Sequence, residues 1–412
     1  MNRLIFPFVF ILGIFVTACQ QKTTSLTQGV WRGVMQTDST IDIPFNFEVY
    51  DSTGTKQIAF LNDEERLNIS EVSIVGDSVF IKTPLYDTEI RALLLKNELS
   101  GTWIKHLPGS QQIMPFSAKH GVTWRYSEKP EPTTNKLAGR WSVQITREGR
   151  QDTTFSIGEF KQNGNSISGT FLTNFGDYRF LAGEMSKDNL FLSSYNGSSA
   201  TLFTGHFLDN DKIVNGKIYS GPNYVASWSA NRDSAAILPD AYSLTKLKEG
   251  ESRLSFKFPD TEGNQISIDD DRFKDKVVII QFLGSWCPNC MDETAFLSPF
   301  YEEYKNKGVE IIGLAYERYA EPERAKKAVS NLMNRFNVTY PVLLTGATNK
   351  PADVLKSIPQ LASFSAFPTT IIIDKKGEVR SIHTGFDGPA TGNAYLDYIS
   401  EFEEKINSLL NE

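Results

Sequence analysis

Cysteine is scarce in this chain: three residues in 412, at Cys19, Cys287 and Cys290. So few thiols exclude a disulfide-stapled scaffold, and stability has to come from packed cores. Histidine is equally thin, with four residues scattered at His106, His120, His206 and His383. With no third thiol beside Cys287 and Cys290, a four-ligand zinc site cannot be assembled, and no metal is expected. A basic surplus is missing too. Lys and Arg number 42 against 49 Asp and Glu, a net charge of -7, and the cations form no long runs, which disfavours nucleic acid as a partner. Long apolar runs are absent but for one, Leu4 to Val16, which falls short of the ~20 residues a spanning helix needs. The remaining 40% apolar and 22% charged composition is that of globular protein, and the length suggests two or three domains.

The N-terminal run has the form of an export signal, a short basic start at Arg3 followed by an apolar core. It ends in Val16-Thr17-Ala18-Cys19, which resembles a lipobox. The expectation is a signal peptide over 1–18, acylation of Cys19 as the new N-terminus, and a polar tether over 19–28. Ordinary cleavage with an incidental Cys19 is the competing reading. Acylation accounts better for an otherwise unpaired thiol in an oxidising compartment. It also implies a lipid-anchored protein of the bacterial envelope, facing the periplasm. The mature chain then holds two free thiols, both in one Cys-x-x-Cys, and a vicinal pair kept where structural disulfides are omitted serves chemistry.

From 29 to 235 short alternating stretches such as Ile43 to Tyr50 and Ser78 to Lys82 are separated by turn signals such as Asn163-Gly164-Asn165 and Ser220-Gly221-Pro222-Asn223. This predicts antiparallel β-sheet, a barrel or a sandwich. An internal echo is visible. Gly29-Val30-Trp31-Arg32 and Gly139-Arg140-Trp141 each open a stretch that ends near a further tryptophan, Trp103 or Trp228. Two units, 29–127 and 136–235, or two halves of one barrel or sandwich, both fit this pattern.

After a linker over 236–249 the pattern becomes α/β. Val277 to Phe282 reads as a strand buried on both faces, and Pro288 to Lys307 as a helix starting at the cysteines. Val309 to Ala315 is the next strand, Glu321 to Phe336 a helix, and Tyr340 to Leu344 a short strand. Thr369 to Ile373 and Glu378 to Thr384 form a hairpin, and Gly392 to Leu410 a closing helix. That is the order of a thioredoxin-like domain, assigned to 250–412. The expected fold class is thus α+β multidomain: an N-terminal antiparallel β region followed by a thioredoxin-like α/β domain.

The strongest motif is Trp286-Cys287-Pro288-Asn289-Cys290. Helix N-terminal amides and the macrodipole favour an anion at Cys287, and Pro288 suits an early helical position where no donor is lost. Cys290, one turn on, can close a disulfide with Cys287 or resolve a mixed disulfide. Phe367-Pro368-Thr369-Thr370 precedes the penultimate strand, where a thioredoxin-like fold places a cis proline opposite the dithiol, leaving the backbone before it free for an extended substrate.

With the lead-in Phe256-Lys257-Phe258-Pro259-Asp260 and Glu293 three residues after Cys290, these motifs make the C-terminal two-fifths resemble the TlpA/ResA-type thioredoxin-like proteins of bacterial envelopes. The resemblance implies reduction or exchange of disulfides in exported proteins through Cys287 and Cys290, with electrons from a membrane thiol-disulfide carrier and no cofactor beyond that redox-active pair. It also implies substrate contacts at Trp286, Pro288 and Phe367, a role for Pro368, and a proton acceptor for Cys290 at Glu317, which ends the strand Ile311 to Glu317. Gln281 supports the need for such an acceptor. It stands six residues before Cys287, where many thioredoxins carry a buried aspartate, and an amide takes up no proton. The competing class is a binding lipoprotein in which the β region recognises a ligand and the thioredoxin-like domain is a scaffold.

Overall fold

The computed structural model describes residues 25–412 apart from Thr53 and Ala320. The expected signal peptide and Cys19 lie outside the described residues. No helix among the described residues is long and apolar enough to cross a membrane.

Alternating burial along the N-terminal strands, as in Gly29–Gln36, turns one face of each inward. The first nine strands follow one another as an antiparallel meander. The first, Gly29–Gln36, also pairs with the last, Ser110–His120, so the only sheet edges are Glu65–Ile69 and Val72–Val75. The second nine-stranded sheet goes further. Gly139–Arg147 pairs with Thr153–Asn163 and with Tyr224–Arg232, and Thr153–Asn163 pairs with Ser166–Thr173. All its strands but the short Gly176–Asp177 therefore close a ring, which removes the exposed edges.

Of the two arrangements the sequence left open, the structure has two separate units. The echo between them is physical: the indole of Trp31 donates to the Thr27 carbonyl at 2.9 Å and that of Trp141 to the Leu137 carbonyl at 2.8 Å, each four residues back. Both tryptophans are fully buried. The units share a seam in which Tyr195 of the second lies 4.8 Å from Phe45 and 4.6 Å from Phe60 of the first, ring centre to ring centre. Arg125, in the segment that joins them, is buried and donates to Asn46 Oδ1 (3.1 Å) and to the carbonyls of Ser193 (2.7 Å) and Leu61 (2.6 Å).

The C-terminal unit is a five-stranded sheet built from β1 (Val277–Leu283), β2 (Val309–Glu317), β3 (Val342–Thr348), β4 (Thr369–Ile373) and β5 (Val379–Thr384), in the order β3-β2-β1-β4-β5. The β1–β2 and β2–β3 pairs are parallel and the others antiparallel. Helices α1 (Pro288–Tyr304), α2 (Pro322–Phe336), α3 (Pro351–Ser357) and α4 (Asn393–Leu410) connect and flank the strands. Every residue of β1 is buried, as its continuous apolar run predicts for a central strand. One expectation needs correction. The third strand starts at Val342 instead of Tyr340, because Pro341 has no N–H to give a ladder, and it runs on to Thr348. The short α3 lies in a stretch to which the sequence pattern assigned no element, and Pro351 sits at its first turn, where a proline is tolerated.

Candidate active site

Residues 284–286 carry the chain from β1 into α1, and they pass so tightly that a Cβ on Gly284 would lie 2.2 Å from Trp286 Nε1. The Trp286 indole donates to the Tyr316 carbonyl at 2.9 Å and its ring meets Phe367 edge-on at 5.6 Å. Cys287 caps α1: its sulfur accepts the Cys290 N–H at 3.3 Å, with Pro288 opening the helix. On its other side the Cys287 thiol faces the Phe367 carbonyl at 3.8 Å, immediately before the cis Phe367–Pro368 peptide bond. Trp286, Cys287, Pro288, Phe367 and Pro368 thus converge on one surface. The two thiols are free and unequal. Cys287 keeps 5% of its surface accessible and Cys290 none. Burial, followed by the neighbouring Cys287, pushes the Cys290 thiol well above the ordinary thiol range.

A thiol held that far up needs a proton acceptor to react. Glu293, one turn beyond Cys290 on α1, has no exposed surface, and burial raises its carboxyl to about 7. It accepts from Gln281 Nε2 at 2.8 Å and from Thr370 Oγ1 at 2.5 Å, and its charge adds a small upward push on the Cys290 thiol. Gln281 also reaches Thr294 at 3.1 Å, and the Thr294 hydroxyl donates to the Cys290 carbonyl at 2.7 Å. The buried amide at 281 therefore holds the carboxyl group that can take a proton. Glu317 is placed differently. One of its oxygens accepts the Ser285 N–H and the other the Ser285 hydroxyl, both at 2.7 Å, so it braces the loop before Cys287. Burial raises its carboxyl as well. Two buried carboxyl groups thus stand near the dithiol: Glu317, which the sequence singled out, at the end of β2, and Glu293, which the motif also contained, on α1 itself.

Sequence reading missed the β region's share of the site altogether. Arg179, between two strands of the second unit, reaches the start of α1: it donates to the Pro288 carbonyl at 3.2 Å and pairs with Asp292 at 2.5 Å, while its other terminal nitrogen pairs with Glu65 of the first unit at 2.5 Å. Asp292 is raised to about 6 by burial, against the lowering pull of Arg179. Gly176 packs so close to the dithiol loop that a Cβ there would lie 1.7 Å from Asn289 Nδ2. Positions more than a hundred residues apart leave no local signal of such contacts.

Known proteins similar to this chain match its C-terminal part. The Redoxin family model matches residues 248–397. Thiol-disulfide oxidoreductase ResA of Bacillus thuringiensis subsp. konkukian is 32% identical over 134 residues, 32% of this chain and 68% of that protein. ResA of Bacillus subtilis is 29% identical over 157 residues, 38% of this chain and 79% of that protein. Among solved structures, the thioredoxin domain of a thiol-disulfide oxidoreductase from Bacteroides vulgatus is 26% identical, covering 37% of this chain and 99% of its own at a TM-score of 0.27.

Proposed function

Because the chain belongs to the ResA/TlpA-like thiol-disulfide oxidoreductases, we propose that it acts as a reductant of disulfides in exported proteins, using Cys287 to attack and Cys290 to resolve. The Cys287 thiolate attacks one sulfur of the substrate disulfide, forming a mixed disulfide and expelling the other sulfur as a thiolate that takes up a proton. Glu293 accepts the Cys290 proton. The Cys290 thiolate then attacks Cys287, the mixed disulfide breaks, and the second substrate sulfur leaves as a thiol. The substrate gains two electrons and the protein leaves with a Cys287–Cys290 disulfide. A membrane thiol-disulfide carrier restores the dithiol, and no other cofactor takes part. The Pro288-Asn289 pair lacks the histidine of strongly oxidising dithiols, which favours the reducing direction.

The observation that supports this reading best is the placement of the Cys287 sulfur between the Cys290 amide at the start of α1 and the Phe367 carbonyl, with Cys290 sealed behind it. Its test is a trap. Cys290→Ala should accumulate Cys287-linked adducts that reducing agents release, whereas Cys287→Ala should accumulate none. Absence of adducts with exported proteins in the first variant would favour the binding-module reading.

The reading includes an envelope location with a lipid anchor at Cys19. Cys19→Ser should release the protein from the membrane fraction or leave an unprocessed precursor; normal processing and unchanged fractionation would remove the anchor from the account.

A further inference from the structure

In front of Trp286 lies a cavity of about 790 Å³, walled on one side by Lys82, Tyr86 and Asp87 of the first β unit and on the other by Trp286, Arg318 and Lys327. Most charges around it are already satisfied. Asp87 pairs with Arg324 at 2.8 Å, Glu89 with Arg91 at 2.5 Å and with His106 at 3.2 Å, and Glu317 with the two Ser285 donors. Arg318 is the exception. Its guanidinium lies 4.7 Å above the Trp286 ring and, among the described residues, has no hydrogen-bond acceptor and no carboxylate at ion-pair distance. Lys105, close enough for Arg318 to depress it, is held at about 8 chiefly by burial and donates to the Ser198 carbonyl (3.0 Å) and hydroxyl (2.9 Å), without a carboxylate partner. Lys82 and Lys327 add positive charge from the two walls, and of the acids lining the cavity Glu71 is the one not already engaged above.

The neighbouring Glu317 carboxylate feels Arg318 but is taken up by Ser285, and a half-buried guanidinium with no anion at ion-pair distance is an incomplete arrangement whose donor fork is held in plane by stacking on an indole. What completes it is a planar carboxylate that accepts two parallel N–H bonds. The Trp286 ring on which Arg318 stacks belongs to the residue directly before Cys287, so an anion held by Arg318 sits close to the attacked disulfide. Resting on the reductase reading above, we propose that this cavity is a substrate vestibule selective for peptide disulfides that carry an acidic residue next to the attacked cysteine, with Arg318 as the specificity-determining residue.

The test uses the full chain, reduced beforehand, and two disulfide-bonded peptides that differ only in Glu or Gln beside one cysteine. Oxidation of the protein is followed in stopped flow. The Glu peptide should react about tenfold faster, the worth of one charge-assisted hydrogen bond, and the advantage should shrink with added salt. Arg318→Gln should bring the ratio of the two rate constants near one, and Arg318→Lys should leave it between. Alkylation of Cys287 by neutral iodoacetamide separates the other role open to this cation. If Arg318→Gln slows alkylation and both peptides in equal proportion, Arg318 serves the thiolate and the proposal fails. Equal rates for the two peptides with the unaltered protein would overturn it as well, leaving the reductase reading intact. No reaction with either peptide would overturn the reductase reading, and the selectivity with it.

Discussion

Glu293→Gln is expected to slow resolution of the Cys287 mixed disulfide about 100-fold, the usual contribution of a positioned general base, while leaving the first attack by Cys287 close to its original rate. The amide keeps the shape and can still bond Gln281 and Thr370, but it takes up no proton. Two readouts separate this from a packing effect. The first is kinetic: the resolution rate of the unaltered protein should rise with pH through about 7, the range to which burial raises Glu293, and the variant should lose that rise. The second is thermodynamic. A carboxyl moved up from 4.5 to about 7 in the folded state favours folding below 4.5 and loses that advantage as pH rises to 7. The unaltered protein should therefore lose about 3 kcal/mol between those values, seen as faster hydrogen exchange of β1 and α1 amides, and Glu293→Gln should lose less. Glu317→Gln is the comparator: it removes one acceptor from the Ser285 brace. If it, and not Glu293→Gln, abolished the pH dependence of resolution, the acceptor would be Glu317 after all.

Arg179→Met should destabilise the contact between the β region and the dithiol helix by about 3–5 kcal/mol near pH 8, since it strands two carboxylates that are only 7% and 14% exposed. The sign of the pH effect follows from Asp292. Its midpoint near 6 means that it becomes neutral on acidification, so the penalty should be smaller at pH 5 than at pH 8. Arg179→Lys, which keeps the charge but not the fork that bridges Glu65 and Asp292, should fall between. Denaturant unfolding and limited proteolysis of residues 173–179 at both pH values report it. A change within about 0.5 kcal/mol, the range of ordinary surface substitutions, would mean that this network does not hold the units together.

How far the sequence could be read depended on how local each signal was. The run Val277 to Phe282 and the helix start at Pro288 speak within a few residues, and both fall where expected. The hairpin signals of the β region were equally local and gave its antiparallel class. Whether the β region forms one unit or two was not legible, because closure of the second sheet rests on the pairing of Gly139–Arg147 with Tyr224–Arg232, strands far apart in the chain that no short-range pattern brings together. At the site, Cys287, Cys290 and Pro368 were legible as motifs. The proton acceptor proposed for Cys290 was not, since Glu293 and Glu317 are both buried carboxyl groups near the dithiol and differ only in the donors around them, Gln281 and Thr370 against Ser285.

The meander of the first unit and the near-sequential ring of the second bear on the order in which the chain is assembled. Nearly every strand there pairs with its neighbour in sequence, and such short-range topologies nucleate quickly for β structure. Synthesis runs from the N-terminus, and domains fold largely as units as they emerge. Both sheets can therefore be finished before Cys287 is made, and no cysteine lies between Cys19 and Cys287 to mispair with it. The late-arriving thiols meet a surface already carrying Arg179 and Gly176, so the β region acts as a template on which the dithiol loop settles.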